Sequence, residues 1–457
     1  MVKIFSLTRK LLLLFLPAVL FFVSGAAAQD ADKFDEIVQH YVSNENFMGS
    51  VLVARDKEIL FNKGYGSANL EWNIPNSPTT KFRIGSITKQ FTAASIFILE
   101  DMGKLRTDDP IKNYLPDIPS EWDEITIYNL LTNTSGIPNY SDFPEYMKEQ
   151  LFFHTPQNIV DLFRDKPLEF KPGSQFSYSS SGFILLGCLI EKVSGESYEE
   201  FIKKNIFLPL GMKDSGYDSN AAVIEQRASG YHPGPEGLIN AEYAHMSVPF
   251  SAGALYSTSE DLLRWEQGLF GGKMLSDKSL SKMITPFIGT HVCGYACGLE
   301  LFSDKKERKI IKHEGAIQGF HNILSYYPDD KITIVVLSNV FNTVPPRLEP
   351  KLAGIAYGEE ADAPKKEIRV PYTILLQYEG VYELAPGNDM TITLEGGYLM
   401  VQATGDYKYP LFAESKTKFF LKDADADLEF FKDETGKVSH FVLNHGVFEV
   451  KVKRKQQ

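Results

Sequence analysis

Ser86-Ile87-Thr88-Lys89 sets a hydroxyl three residues ahead of an amine, a spacing that puts both on one face of a helix. A serine is a weak nucleophile until a base takes its proton. A lysine can be that base when burial disfavours its charged form, which moves such pKa values by up to about 3–5 pH units. The same S-x-x-K spacing recurs at Ser279/Lys282, Ser303/Lys306 and Ser415/Lys418, so spacing alone assigns nothing. The surroundings separate the four. Ser86 follows Gly85 and opens TKQFTAASIFILEDMGKL, a helical pattern apolar enough to bury Lys89. A helix start also favours a neutral amine and a developing oxyanion. The other pairs fall in a polar surface helix, in the charged turn SDKKERK and in a β-rich C-terminal region.

Two further segments carry candidate chemistry: FSYSSSGF, with Tyr178 and Ser180, and KHEGAIQGF, with His313 and Gly315. Taken singly, each has a plain reading. A tyrosine in a serine-rich loop is more often a core or loop residue, and a strand histidine is more often structural. Taken in order with FRIGSITK, the segments resemble the three motifs of the serine β-lactamases and penicillin-binding proteins. The nearest branch is that of class C β-lactamases, D-Ala-D-Ala carboxypeptidases and related esterases. LLTNTSGIP, from Leu130, and FSAGALYSTSEDLLRW, from Phe250, are similar to other parts of that branch, and the resemblance spans roughly residues 30–357.

The resemblance implies a set of roles. Ser86 would attack a carbonyl and become acylated, with Lys89 accepting its proton and Tyr178 sharing in proton transfer. Which of the two is the base stays open here. His313 would complete the catalytic group, and Ser180 would steady the network by hydrogen bonding. The backbone N–H groups of Ser86 and Ala316 would form the oxyanion hole. Gly315, lacking a side chain, would let substrate approach the strand closely. No cofactor or metal is expected. No G-x-S-x-G occurs, which removes the usual α/β-hydrolase alternative.

The chain departs from the pattern at two places. The third motif reads His-Glu-Gly where many relatives have Lys-Thr-Gly, and a histidine of pKa about 6.5 is mostly neutral at pH 7. Lys312 cannot replace that lysine, because neighbours on a strand point to opposite faces. Ser180 stands where an asparagine amide would contact an acyl side chain. Both changes lower the expectation of efficient β-lactam hydrolysis and leave esters, amides and D-amino-acid peptides open as substrates. The alternatives are a β-lactamase and a penicillin-binding sensor that does not turn over. Asn133, where relatives often carry histidine, supports no inference at this stage.

The elements that must position these residues follow from periodicity. DKFDEIVQHYV, from Asp32, repeats Phe34, Ile37, Val38 and Tyr41 at helical spacing. GSVLVARDKEILFNKGYG reads as two strands about a short turn, and strands return at KIIKHEG, GFHNILSYYP and KITIVVLSN. Between them lie helical patterns such as SYEEFIKKNIFLPLGM and STSEDLLRWEQGLF, and Pro346 to Tyr357 could close the region as a helix. Strands at both ends with helices between predict an α/β fold, one antiparallel sheet flanked by helices plus a helical lobe, with a cleft between lobe and sheet. The catalytic domain is expected over 29–357, a linker over 358–370 and a small all-β barrel or sandwich over 371–457. That last module resembles the lipocalin-like domains appended to some of these hydrolases, and is read as bordering the cleft rather than as a mere appendage.

Residues 1–28 read as a signal peptide: Lys3, Arg9 and Lys10, an apolar run from Leu11 to Val23, then Ala26-Ala27-Ala28. The run is shorter than the roughly 20 residues a membrane span needs. A periplasmic or secreted protein is expected, without a stable membrane anchor. Removing the segment takes the formal charge from −12 to −15. Such an acidic chain with no basic cluster is a poor partner for nucleic acid. A small molecule or short peptide is the expected partner, and oligomeric state is unspecified. The three cysteines, Cys188, Cys293 and Cys297, make no disulfide framework. In one extended strand Cys293 and Cys297 would stand about 13 Å apart, too far to bridge without a turn at Gly294. His291 and its neighbours lack a fourth ligand for zinc.

Overall fold

The computed structural model describes residues 16–234, 237–289, 293–360, 367–385, 388–404, 408–421, 426–445 and 448–455. The chain divides into two units, between Ala361 and Asp362. In the first, helix α1 (Leu16–Glu45) buries Phe34, Ile37, Val38 and Tyr41. Strands β1 (Gly49–Arg55) and β2 (Glu58–Tyr65) follow as a hairpin whose turn places Asp56 at φ 52°. Residues 1–15 of the expected signal segment and His291 lie outside the described residues. Among the described residues no helix is long and apolar enough to cross a membrane.

The helical lobe is built on α2 (Thr88–Asp101), α3 (Ser180–Ser194) and α4 (Ser259–Leu269). The chain then returns to the sheet through β3 (Ile288–Gly289), β4 (Cys293–Tyr295), β5 (Glu300–Ser303), β6 (Lys309–Ile317), β7 (Phe320–Tyr327) and β8 (Ile332–Ser338). Helix α5 (Val344–Ala356) ends the unit's regular structure. The eight strands form one antiparallel sheet in the order β3-β4-β5-β6-β7-β8-β1-β2. Thus the two ends of the unit meet at the pair β8–β1, as the sequence pattern requires.

Both faces of the sheet are covered, and β8 shows it. All seven of its residues are buried, Thr333 and Ser338 included, so burial is continuous rather than alternating. Ile332, Ile334 and Val336 pack against α1 and α5, while Val335 and Leu337 face the lobe. The stretch Cys293–Leu299 is not one extended strand. It ends β4 at Tyr295 and turns, with Gly298 at φ 70° and the Cys297 N–H donating to Met283 O. Cys297 is a buried free thiol; the side chain of Cys293 lies outside the described residues.

The second unit is a closed eight-stranded barrel running from Gly380 to Arg454 in simple meander order. Closure rests on pairing its first strand with its last, at Tyr382↔Arg454 and Glu383↔Lys453. Gly396 and Gly397, both at positive φ, make one tight hairpin turn. Tyr378, Tyr382, Phe419, Phe430 and Phe441 fill the interior with packed rings. Ile368 donates to Ala413 O and Val370 packs on the same core, so the later part of the stretch expected as linker belongs with the barrel.

Candidate active site

Ser86 lies in a single helical turn, Gly85–Ile87, that runs directly into α2. The segment before it is anchored by Arg83, whose Nε donates to the fully buried Asp218 at 2.6 Å. Strand β6 crosses so close that its residues are dictated. A Cβ on Gly315 would lie 1.9 Å from Ile84 O, and Gly85, at φ 53°, would place one 2.9 Å from Ala316 O. Asn322 on β7 staples the two backbones, its Nδ2 donating to Arg83 O at 2.9 Å and to Gly315 O at 3.2 Å. Glycine at 85 and 315 therefore brings the backbone of Ser86 beside that of Ala316.

Lys89, the second residue of α2 and one turn after Ser86, is wholly buried. Its Nζ lies 3.0 Å from Ser86 Oγ and donates to Ala252 O at 3.0 Å. The rings of Tyr178 and Phe183 complete its surroundings at 4.9 and 5.5 Å. Burial alone pushes its pKa down to about 7. The other S-x-x-K lysines are unlike it. Lys282 pairs with Asp108, Lys306 with Glu359 and Lys418 with Glu414. Ser279, expected at a surface, is buried with its hydroxyl on Asp101.

Tyr178 comes from the loop before α3, and Asn133 holds that loop on both sides of it. Ser177 N donates to Asn133 O at 3.0 Å and Ser179 N to Asn133 Oδ1 at 3.2 Å. Asn133 takes φ 56°, a left-handed conformation that asparagine tolerates better than most residues. Burial raises the Tyr178 pKa far above the ordinary phenol, and an interaction with the Ser86 hydroxyl pulls it partly back. Tyr178 is thus a neutral phenol facing the serine.

His313 is buried on the lobe side of β6, its ring centroid 6.3 Å from that of Tyr178. Burial, reinforced by Lys89, lowers its pKa to about 4. Lys312 points the other way, over Phe302 and towards Glu314. Among the described residues no hydrogen bond joins the Ser180 hydroxyl to Ser86, Lys89 or Tyr178, the link that the resemblance implied; Ser180 opens α3, and its backbone N–H donates to Asn139 Oδ1 at 3.0 Å. Ser86, Lys89, Tyr178, His313, Gly315 and Ala316 do converge. Nothing in the sequence marks Asn322, the Ala252 carbonyl or the structural role of Asn133. Among the described residues no cluster of His, Cys, Asp and Glu could hold a metal ion.

A sheet covered on both faces, with a serine and a buried amine at the start of a lobe helix, defines a class: the mixed α/β serine hydrolases of penicillin-binding-protein type. The Beta-lactamase family model matches residues 34–357, and the chain belongs to that family. A second model, described as a domain of unknown function (DUF3471), matches residues 364–457. Penicillin-binding protein 4* of Bacillus subtilis (strain 168) is 29% identical over 435 residues, 90% of this chain and 95% of its own. The solved octameric penicillin-binding protein homologue from Pyrococcus abyssi is similar, with a TM-score of 0.69 at 27% identity. That match covers 93% of this chain and 100% of the other. D-amino acid amidase from Ochrobactrum anthropi SV3, complexed with L-phenylalanine, matches with a TM-score of 0.60 at 25% identity, over 68% and 91% of the two chains.

Proposed function

We propose that this protein is an exported hydrolase that forms an acyl-enzyme on Ser86 and acts on small esters or on amides and peptides of D-amino acids. The observation that carries this is the buried Lys89 amine, 3.0 Å from Ser86 Oγ and, among the described residues, without a carboxylate partner. Near neutral pH about half of such amines are unprotonated, so Lys89 accepts the hydroxyl proton as Ser86 Oγ bonds to the carbonyl carbon. Tyr178, a neutral phenol, passes a proton to the leaving nitrogen or oxygen as that bond breaks. Water then attacks the ester and gives a proton to the Tyr178 phenolate, Lys89 returns its proton to Ser86 Oγ as the acyl C–O bond breaks, and the acid departs. The Ser86 and Ala316 N–H groups receive the oxyanion; losing one such donor costs about 10²–10³ in turnover.

A neutral His313 leaves the third motif without the cation that would bind a free substrate carboxylate, which favours esters and amides over C-terminal carboxylates. The D-amino acid amidase among the structural neighbours supports the same direction. The basic start, apolar run and alanine triplet of residues 1–28 support export, with Gln29 as the first mature residue. A second reading is penicillin acylation, favoured by the name of the Bacillus subtilis relative. Purified protein profiled against p-nitrophenyl esters, D-amino acid amides, D-Ala-D-Ala peptides and nitrocefin separates these. Turnover of esters or amides above nitrocefin is expected; efficient nitrocefin hydrolysis alone overturns the proposal.

A further inference from the structure

Tyr295, at the end of β4, belongs to none of the three motifs, yet it is buried against the site. Its ring makes edge contacts with Tyr178 and His313, at centroid distances of 6.2 Å each, and a tilted contact with Phe176 at 5.3 Å. Its hydroxyl lies 3.5 Å from His313 Nε2. The other ring nitrogen, Nδ1, lies 2.5 Å from Glu314 O, and a carbonyl oxygen only accepts. Nδ1 therefore carries the proton and Nε2 offers a lone pair. Asn133 supplies the remaining neighbour: its Nδ2 is buried, has no other hydrogen-bond partner among the described residues and interacts with the Tyr295 hydroxyl.

We propose that Tyr295 is a positioning residue, its hydroxyl donating to His313 Nε2 and fixing the imidazole as the neutral Nδ1–H tautomer beside Tyr178 and Lys89. A donor to the lone pair stabilises the neutral form and opposes protonation. The groups that face His313 are Lys89 from α2, Tyr178 from the loop before α3 and Tyr295 from β4; Lys312 and Glu314, its neighbours on β6, act on it from the opposite face. Glu300 on β5 acts on both tyrosines. Lys89 and Lys312 oppose a proton on His313, and Glu314 favours it. Removing the hydroxyl while keeping the ring frees Nε2 to bind a proton, adding a charge next to the base.

The test is ¹⁵N-histidine NMR of the full chain, with the His313 signals assigned by their loss in His313→Gln. In the wild type they should report an Nδ1–H neutral ring that does not titrate above about pH 5. Tyr295→Phe should move that titration up by roughly one pH unit, the worth of one hydrogen bond. An Nε2–H tautomer in the wild type, or an unchanged titration in Tyr295→Phe, overturns the proposal. The kinetic consequence rests on the hydrolase reading: Tyr295→Phe should lower kcat about fivefold with KM within about twofold, and the acid limb of its pH profile should change shape. The expected NMR result on a protein that hydrolyses nothing supports the positioning role and removes the hydrolase reading instead.

Discussion

Replacing Lys89 by methionine should stop turnover and change how stability depends on pH. The folded chain binds a proton at Lys89 only below about pH 7, whereas the unfolded chain binds one up to the ordinary value of 10.5. Between those values the unfolded state holds more protons, so stability rises with pH across that window and the contribution is flat below it. Burying the ammonium below pH 7 thus costs roughly 4–5 kcal/mol relative to burying the free amine, at about 1.4 kcal/mol per tenfold change. Methionine fills similar volume and does not titrate. Relative to wild type, Lys89→Met should be most favoured at pH 6, less the loss from leaving Ala252 O without its donor, about 1–3 kcal/mol. Urea unfolding of both proteins at pH 6, 7.5 and 9 measures this. The gap should move by about 2 kcal/mol in favour of wild type between pH 7.5 and 9, since one proton gives at most about 1.4 kcal/mol per pH unit. Parallel curves for the two proteins would refute the claim that this amine is held neutral by burial.

Gly315→Ala places a methyl 1.9 Å from Ile84 O, a backbone atom with little room to shift. Thermal unfolding should fall by the equivalent of at least 1–3 kcal/mol, and ester turnover should fall with it as the Ala316 N–H moves. A chain covering residues 29–361 should fold by itself, because its two large apolar clusters are made of its own residues. A cooperative melt is expected, and an aggregated or molten product would contradict it.

Much of this site is visible in the sequence because its chemistry is local. Ser86 and Lys89 share one helical turn, and the apolar run after them announces the burial that lowers the lysine pKa. The two-ended sheet follows from alternating or continuous apolar runs near residues 50 and 330. What stays hidden depends on approach between distant segments. Nothing around Asn322 shows that its amide will staple Arg83 O to Gly315 O, and nothing near Ala252 shows that its carbonyl will receive the lysine. Asn133 needed its left-handed backbone to be seen before its hold on the Tyr178 loop made sense. Ser180 shows the converse: a motif places it near the site, and the fold shows it as the first residue of α3 with its backbone N–H on Asn139. Barrel and sandwich share one alternating pattern, and the pairing of the first strand with the last, at Tyr382↔Arg454 and Glu383↔Lys453, decides between them.

The proposed reaction requires Ser86 Oγ to be the atom that becomes acylated. Rapid quench of the mature protein with a p-nitrophenyl ester, followed by digestion and mass spectrometry, tests it directly. The acyl mass should appear on the peptide containing Ser86 at near-stoichiometric level and vanish, with turnover, in Ser86→Ala. Undiminished hydrolysis by Ser86→Ala, or the label on another residue, would contradict the account.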